Sequence, residues 1–305
     1  MLSMIKSAFL GFLIFSFCVT VTDAKPKVHK MSIHDLKTRV DSIFKTVEGT
    51  FALAFKDMKT GTSLLINAKM TFHAASTMKT PVMIEIFHQA EKKELSLDDS
   101  VDVINNFSSI ADGSPYSLDI SSDSDDSLYS FVGKKQTIRD LMYAMITMSS
   151  NLATNILIEK VGAKNVMKTM RALGAKDIQV LRGVEDEKAF EAGKNNTTTA
   201  FDLMVIFEKL ARKRVVSKKA SEAMCDILLR QKFNEKIPSY LPHDVKVAHK
   251  TGNITGVEHD SGIVYLPDGR SYVLVILSKG LEDKDKGIEA IAQASKAVYD
   301  YEVQR

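Results

Sequence analysis

VKVAHKTGNITGVEHDSGIVYLPDGRSYVLVILSK, residues 245–279, decides the architecture. Apolar residues there alternate or run unbroken, and β-branched types dominate. Residues 245–250, 260–266 and 272–278 therefore read as strands. Pro267-Asp-Gly-Arg is a hairpin turn between the last two. The same signature returns near the start of the chain, in TFALAFK (50–56) and SLLINA (63–68). Those two runs flank a turn in which Gly61 is free to take positive φ. The segments between the two strand groups repeat their apolar residues at helical period, over 77–93, 138–147, 152–161, 163–173, 199–212 and 218–229. Pro81 falls in the first turn of the 77–93 helix, where it costs little. Thr137 is placed to cap the helix that follows it. Helical patterns over 33–47 and 284–303 flank the strands at each end.

Strands at both ends and helices in the middle predict an α+β fold. One antiparallel sheet is built from both chain ends, covered by the terminal helices, with an inserted helical domain. The expected division is 25–70 plus 244–305 for the sheet part and 71–243 for the helical part. Two connections are polar and irregular. Residues 107–135 read as an exposed acidic loop, without the spacing of a calcium-binding EF-hand. Residues 182–196 read as a charged link. No repeat of 20–50 residues is visible.

Residues 1–24 read as a secretory signal. Lys6 is the positive n-region, 8–21 is almost wholly apolar, and Thr22-Asp-Ala24 offers small residues for cleavage. The apolar run is shorter than the ~20 residues of a spanning helix. A secreted, periplasmic protein with no stable membrane span is expected. Cleavage after Ala24 removes Cys18 and leaves Cys225 alone, so no intrachain disulfide is available. The balance of 41 basic and 38 acidic residues, net +3, argues against nucleic acid as a partner. Gly 15 and Pro 6 of 305 residues exclude low-complexity chains and favour helices. No H-x-H or C-x-x-C occurs, and His249 and His259, ten apart, are a weak ligand pair, so no metal is expected.

Three short motifs follow in order: Ser76-Thr-Met-Lys79 at a helix start, Ser149-Ser150-Asn151 between two helices, and Lys250-Thr251-Gly252 at the end of a strand. Each is weak alone. Lys59-Thr60-Gly61 is a second K-T-G, which belongs to the first hairpin turn. Together, in this order, the three resemble the set of class A β-lactamases and penicillin-binding proteins. The resemblance covers nearly all of the chain after residue 24, and Asn155 adds a further match.

The resemblance implies a serine hydrolase without a cofactor, and the residues fit it chemically. Ser76 and Lys79 share a helix face. A serine hydroxyl needs a neighbour to take its proton, and an amine serves if burial and nearby positive charge, here Lys250, depress its pKa. Ser149 is suited to pass a proton to the leaving nitrogen. Asn151 is suited to donate to a substrate amide carbonyl. Lys250 and Thr251 suit a substrate carboxylate. Beyond Gly252, the Asn253 N–H joins that of Ser76 as an oxyanion hole. The expected partner is a small-molecule β-lactam or peptidyl-D-alanine substrate, bound by a monomer.

Class A enzymes also carry a glutamate that activates the deacylating water. Glu185 is the candidate and Glu187 the second, beside the reading that the loop is merely a solvated or surface-paired acidic segment. The family pattern puts one residue between arginine and glutamate. Here Gly183 and Val184 separate Arg182 from Glu185, the usual Pro-Leu-Asn is missing, and Ser150 replaces the aspartate of S-D-N. A serine β-lactamase is therefore expected. The alternatives are a slowly deacylating D-alanyl-D-alanine peptidase or penicillin-binding protein, and an inactive binding module on the same fold.

Overall fold

The computed structural model describes residues 30–305. The expected signal segment 1–24, with Cys18, lies outside the described residues. Helix α1 (Ile33–Phe44) precedes β1 (Thr50–Asp57), β2 (Ser63–Ile66) and the short β3 (Phe72–His73). A 3-10 turn, Ala75–Met78, leads into α2 (Lys79–Glu91). Short strands β4 (Ser100–Asp102), β5 (Phe107–Ser108), β6 (Pro115–Tyr116) and β7 (Lys135–Thr137) follow. Helices α3 (Ile138–Thr147), α4 (Asn151–Val161), α5 (Ala163–Leu173) and α6 (Glu187–Glu191) come next. After β8 (Thr197–Thr198) lie α7 (Ala200–Ala211) and α8 (Lys218–Leu228). Strands β9 (Lys246–Ile254), β10 (Val257–Tyr265) and β11 (Ser271–Lys279) and helix α9 (Lys284–Val303) complete the chain.

The main sheet is antiparallel, in the order β2-β1-β11-β10-β9. Strand period two sorts its residues into two cores. Phe51, Leu53 and Phe55, with Leu274 and Ile276, pack against Leu36 and Val40 of α1 and Ile291 and Val298 of α9. On the other face Ala52, Ala54, Val273, Val275 and Leu277 share a core with the inner helices, including Val82 and Phe207. Small alanines on β1 let α7 approach that face.

Helix ends follow the sequence. Ser32 forms a capping box with Asp35, and Thr137, Thr199, Ser217 and Asp283 each accept from a backbone N–H in the first turn. The second K-T-G is a turn, as expected: Gly61 N–H donates to the Asp57 carbonyl, and Gly61 has φ 77°.

Three expectations change. Strand β9 does not end at Lys250 but continues to Ile254, so Lys250-Thr251-Gly252 lies inside it. Residues 107–135 are not simply an exposed loop, since Ser109, Leu118, Asp125 and Leu128 are buried. The 182–196 link contains α6, capped by Asp186. Neither connection has a strong apolar period, so its packing depends on contacts far along the chain.

Candidate active site

Strand β9 is the edge of the sheet, and the inner helices meet it there. Its Gly252 lets the nucleophile turn come close: a β-carbon at 252 would lie 3.0 Å from the amide nitrogens of both Ser76 and Thr77. Ser76 stands in the 3-10 turn one helical step before Lys79, and lines a cavity of about 590 Å³. Asn151, Glu185, Asn253 and Glu187 line the same cavity, whose size suits a small molecule.

Lys79 is fully buried. Its Nζ donates to the Ser149 carbonyl at 2.6 Å, to Ser149 Oγ at 3.2 Å and to Asn151 Oδ1 at 2.8 Å. Burial pushes its pKa down to about 7, against the pull of the Asp123 and Glu185 carboxylates. An amine that is partly neutral at neutral pH can accept a proton. Lys250 is equally buried, and its Nζ donates to Ser149 Oγ at 3.0 Å and to the Thr251 carbonyl at 2.9 Å. Burial first, and then the charge of Lys79, hold its pKa well below the usual lysine range. With both lysines as donors, the Ser149 hydroxyl hydrogen is left to point elsewhere. Ser149 has φ 60°, a left-handed backbone that turns its side chain and carbonyl toward the lysines.

Ser150 is buried, and its Oγ accepts from Ala153 N–H as the N-cap of α4. Ser150, where the family pattern has aspartate, thus serves as the N-cap. Asp123 supplies a carboxylate at the same helix end. Its oxygens accept from Asn151 N–H at 2.9 and 3.0 Å and from Leu152 N–H at 2.9 Å. Sequence reading missed Asp123, because nothing in a Ser/Asp-rich segment marks one aspartate as reaching a helix 28 residues on.

Asn151 bridges two ionisable groups. While Oδ1 accepts from Lys79, its Nδ2 donates to Glu185 Oε1 at 2.6 Å. Ser122 Oγ donates to Glu185 Oε2 at 3.3 Å. Partial desolvation at the cavity mouth raises the Glu185 pKa, although the residue stays open to solvent, and those two hydrogen bonds oppose the shift. The surface-pair reading of this loop does not hold for Glu185: Lys188 pairs instead with Asp112 at 2.9 Å, and Arg182 donates to the carbonyls of Gly183 and Lys194. Glu185 and Glu187 are both solvent-exposed, but Glu187, in the first turn of α6, lacks the bonds to Asn151 and Ser122 that hold Glu185.

The two residues between Arg182 and Glu185 have a structural reason. Asn155 Oδ1 accepts from Val184 N–H at 2.6 Å and its Nδ2 donates to the Val184 carbonyl at 3.0 Å. Any β-carbon on residue 183 would fall 2.2 Å from Asn155 Oδ1, so Gly183 permits the contact. Glu185 itself has φ 58°.

The Thr251 carbonyl leaves the free edge of β9 to meet Lys250 Nζ. Asn253, two residues on, presents its backbone to the same side. Its partner across the ladder, Glu258, turns its own N–H and carbonyl toward Ser278 Oγ on β11. The Asn253 N–H is thereby left for the cavity, beside Ser76. His249 and His259 are both buried and already engaged, His249 Nδ1 with Asp260 at 2.9 Å and His259 Nε2 with the His73 carbonyl at 2.8 Å. Among the described residues, no group of three or more His, Cys, Asp or Glu is placed to hold a metal ion.

A serine presented at a helix start, an amine of lowered pKa one turn on, and a serine held between two lysines define a penicillin-recognising serine hydrolase. Comparison with known proteins agrees. Residues 35–302 match the family described as the beta-lactamase enzyme family, and the chain belongs to that family. A beta-lactamase of Bacteroides uniformis is 26% identical over 317 residues, covering 97% of this chain and 99% of that protein. Among solved structures, a beta-lactamase from Sphaerobacter thermophilus superposes with TM-score 0.76 at 25% identity, over 89% of this chain and 97% of that one. A structure of PBP-A superposes with TM-score 0.75 at 25% identity, over 88% and 96%.

Proposed function

We infer that this chain is a serine β-lactamase of the class A type, cleaving the β-lactam amide through an acyl-enzyme on Ser76. The observation that carries the reading is the Asn151 carboxamide, bonded on one side to Lys79 and on the other to Glu185. It ties the group suited to acylation to the group suited to deacylation.

In this reading, Ser76 Oγ attacks the lactam carbonyl and its proton passes to neutral Lys79. The N–H groups of Ser76 and Asn253 stabilise the oxyanion. The C–N bond breaks, and the ring nitrogen takes the Ser149 hydroxyl proton, which protonated Lys79 replaces, returning to its neutral form. Glu185 then takes a proton from water as that water attacks the ester, and that proton passes to Ser76 Oγ as the ester C–O bond breaks, leaving Glu185 ionised again. Lys250 and Thr251 hold the substrate carboxylate. The reading includes export through residues 1–24, action as a monomer, and a part in antibiotic resistance.

The alternative is a slowly deacylating peptidase or penicillin-binding protein, and one comparison separates the two. Turnover of a chromogenic cephalosporin is set against the stoichiometry of covalent labelling by penicillin. Many turnovers per labelled site are expected. One persistent label per chain with no turnover would assign the slowly deacylating alternative.

A further inference from the structure

The residue just before the nucleophile, Ala75, holds φ 43° although it is not glycine. Such a backbone persists only where its surroundings over-determine it. On the C-terminal side Gly252 lies against the Ser76 and Thr77 amides. On the N-terminal side Ala75 N–H donates to His73 Nδ1 at 3.0 Å. Because Nδ1 accepts, the imidazole is neutral with its proton on Nε2. His73 is itself tied to the sheet. Its carbonyl accepts from His259 Nε2 at 2.8 Å, and His259 Nδ1 accepts from Ser278 N–H of β11 at 3.1 Å. The Phe190 ring of α6 meets the imidazole edge-on at 6.2 Å.

We propose that His73 is a positioning residue for acyl transfer: its Nδ1 fixes the Ala75 N–H, and with it the left-handed Ala75 backbone that aims the Ser76 amide and hydroxyl into the cavity. Rotation about the Ala75 N–Cα bond is what relaxing the positive φ requires. The Ala75 N–H held by His73 at one end, and Gly252 packed against the Ser76 amide at the other, oppose that rotation. The inference rests on the acyl-enzyme reading.

The test follows the rate of Ser76 labelling by benzylpenicillin, by rapid-quench intact mass, in His73→Leu and His73→Asn. Leucine keeps bulk and removes the acceptor. Asparagine can offer Oδ1 near the position of Nδ1. His73→Leu should label roughly 10–100-fold more slowly, the cost of a misplaced reacting group, while an adduct once formed clears at the wild-type rate. His73→Asn should recover to within a few-fold of wild type. If His73→Leu does not fold, His73→Ala serves in its place. Wild-type labelling by the acceptor-less variant overturns the inference, as does equal loss in both variants in step with thermal stability. A wild-type chain that takes up no penicillin overturns the acyl-enzyme reading itself, and this inference with it.

Discussion

Asn155 grips Val184 by both backbone groups, accepting its N–H at 2.6 Å and donating to its carbonyl at 3.0 Å. Val184 immediately precedes Glu185, so a side chain on α4 sets the height at which the carboxylate enters the cavity. Asn155→Ala should leave the fold intact and acylation close to wild type, but slow deacylation by roughly 10–100-fold. Single-turnover kinetics with penicillin separate the two steps. Gly183→Ala should act on the same step, because its β-carbon would fall 2.2 Å from Asn155 Oδ1. A loss of ~1–3 kcal/mol in unfolding free energy is expected as well, as for other overpacked sites.

The paired lysines predict a different split. Ser149 Oγ is the shared acceptor of Lys79 and Lys250. Ser149→Ala should lower the acylation rate by ~10²–10⁴-fold, the usual worth of a general acid or base. Lys250→Ala should instead discriminate between substrates. Its loss should be much larger for a cephalosporin bearing a free carboxylate than for the corresponding methyl ester, read as the ratio of kcat/KM values.

The acylation step should depend on pH through Lys79. Its pKa is lowered to about 7 by burial, and only the neutral amine can accept the Ser76 proton. The neutral fraction grows as pH rises, so the acylation rate should climb from pH 6 to 8 with its midpoint near 7. With Glu185 as the proposed base for the attacking water, deacylation should fall at acid pH with a midpoint above that of an ordinary glutamate, because partial desolvation raises this group. Lys79→Arg, which stays charged, should lose the basic-side rise in acylation.

Much of this was legible in the chain. Strand and helix periods placed the sheet, the Thr137 cap and the three motifs, because those signals are local. The positive φ of Ala75 and Ser149 was not legible, since neither is glycine and the strain is imposed by packing. Asp123 and His73 were missed for a related reason. Each acts through a backbone N–H whose position is set by the fold, at Asn151 for the one and Ala75 for the other. Asn155 was visible as a motif match, but its grip on Val184 appears only once α4 and the 182–196 link lie together. Ending β9 at Lys250 failed because Asn253, Ile254 and the Thr255-Gly256 turn lack apolar alternation, although the backbones of Asn253 and Ile254 pair with β10.

The most direct measurement of the central claim is the intact mass of Glu185→Gln over time after one addition of benzylpenicillin, beside wild type. Glutamine keeps the shape and the bonds to Asn151 and Ser122 within reach, but cannot take a proton from water. Both chains should gain the mass of one drug molecule at similar rates. Wild type should return to its free mass as drug is consumed, while the variant stays acylated. A variant that clears its adduct as fast as wild type would contradict the role assigned to Glu185.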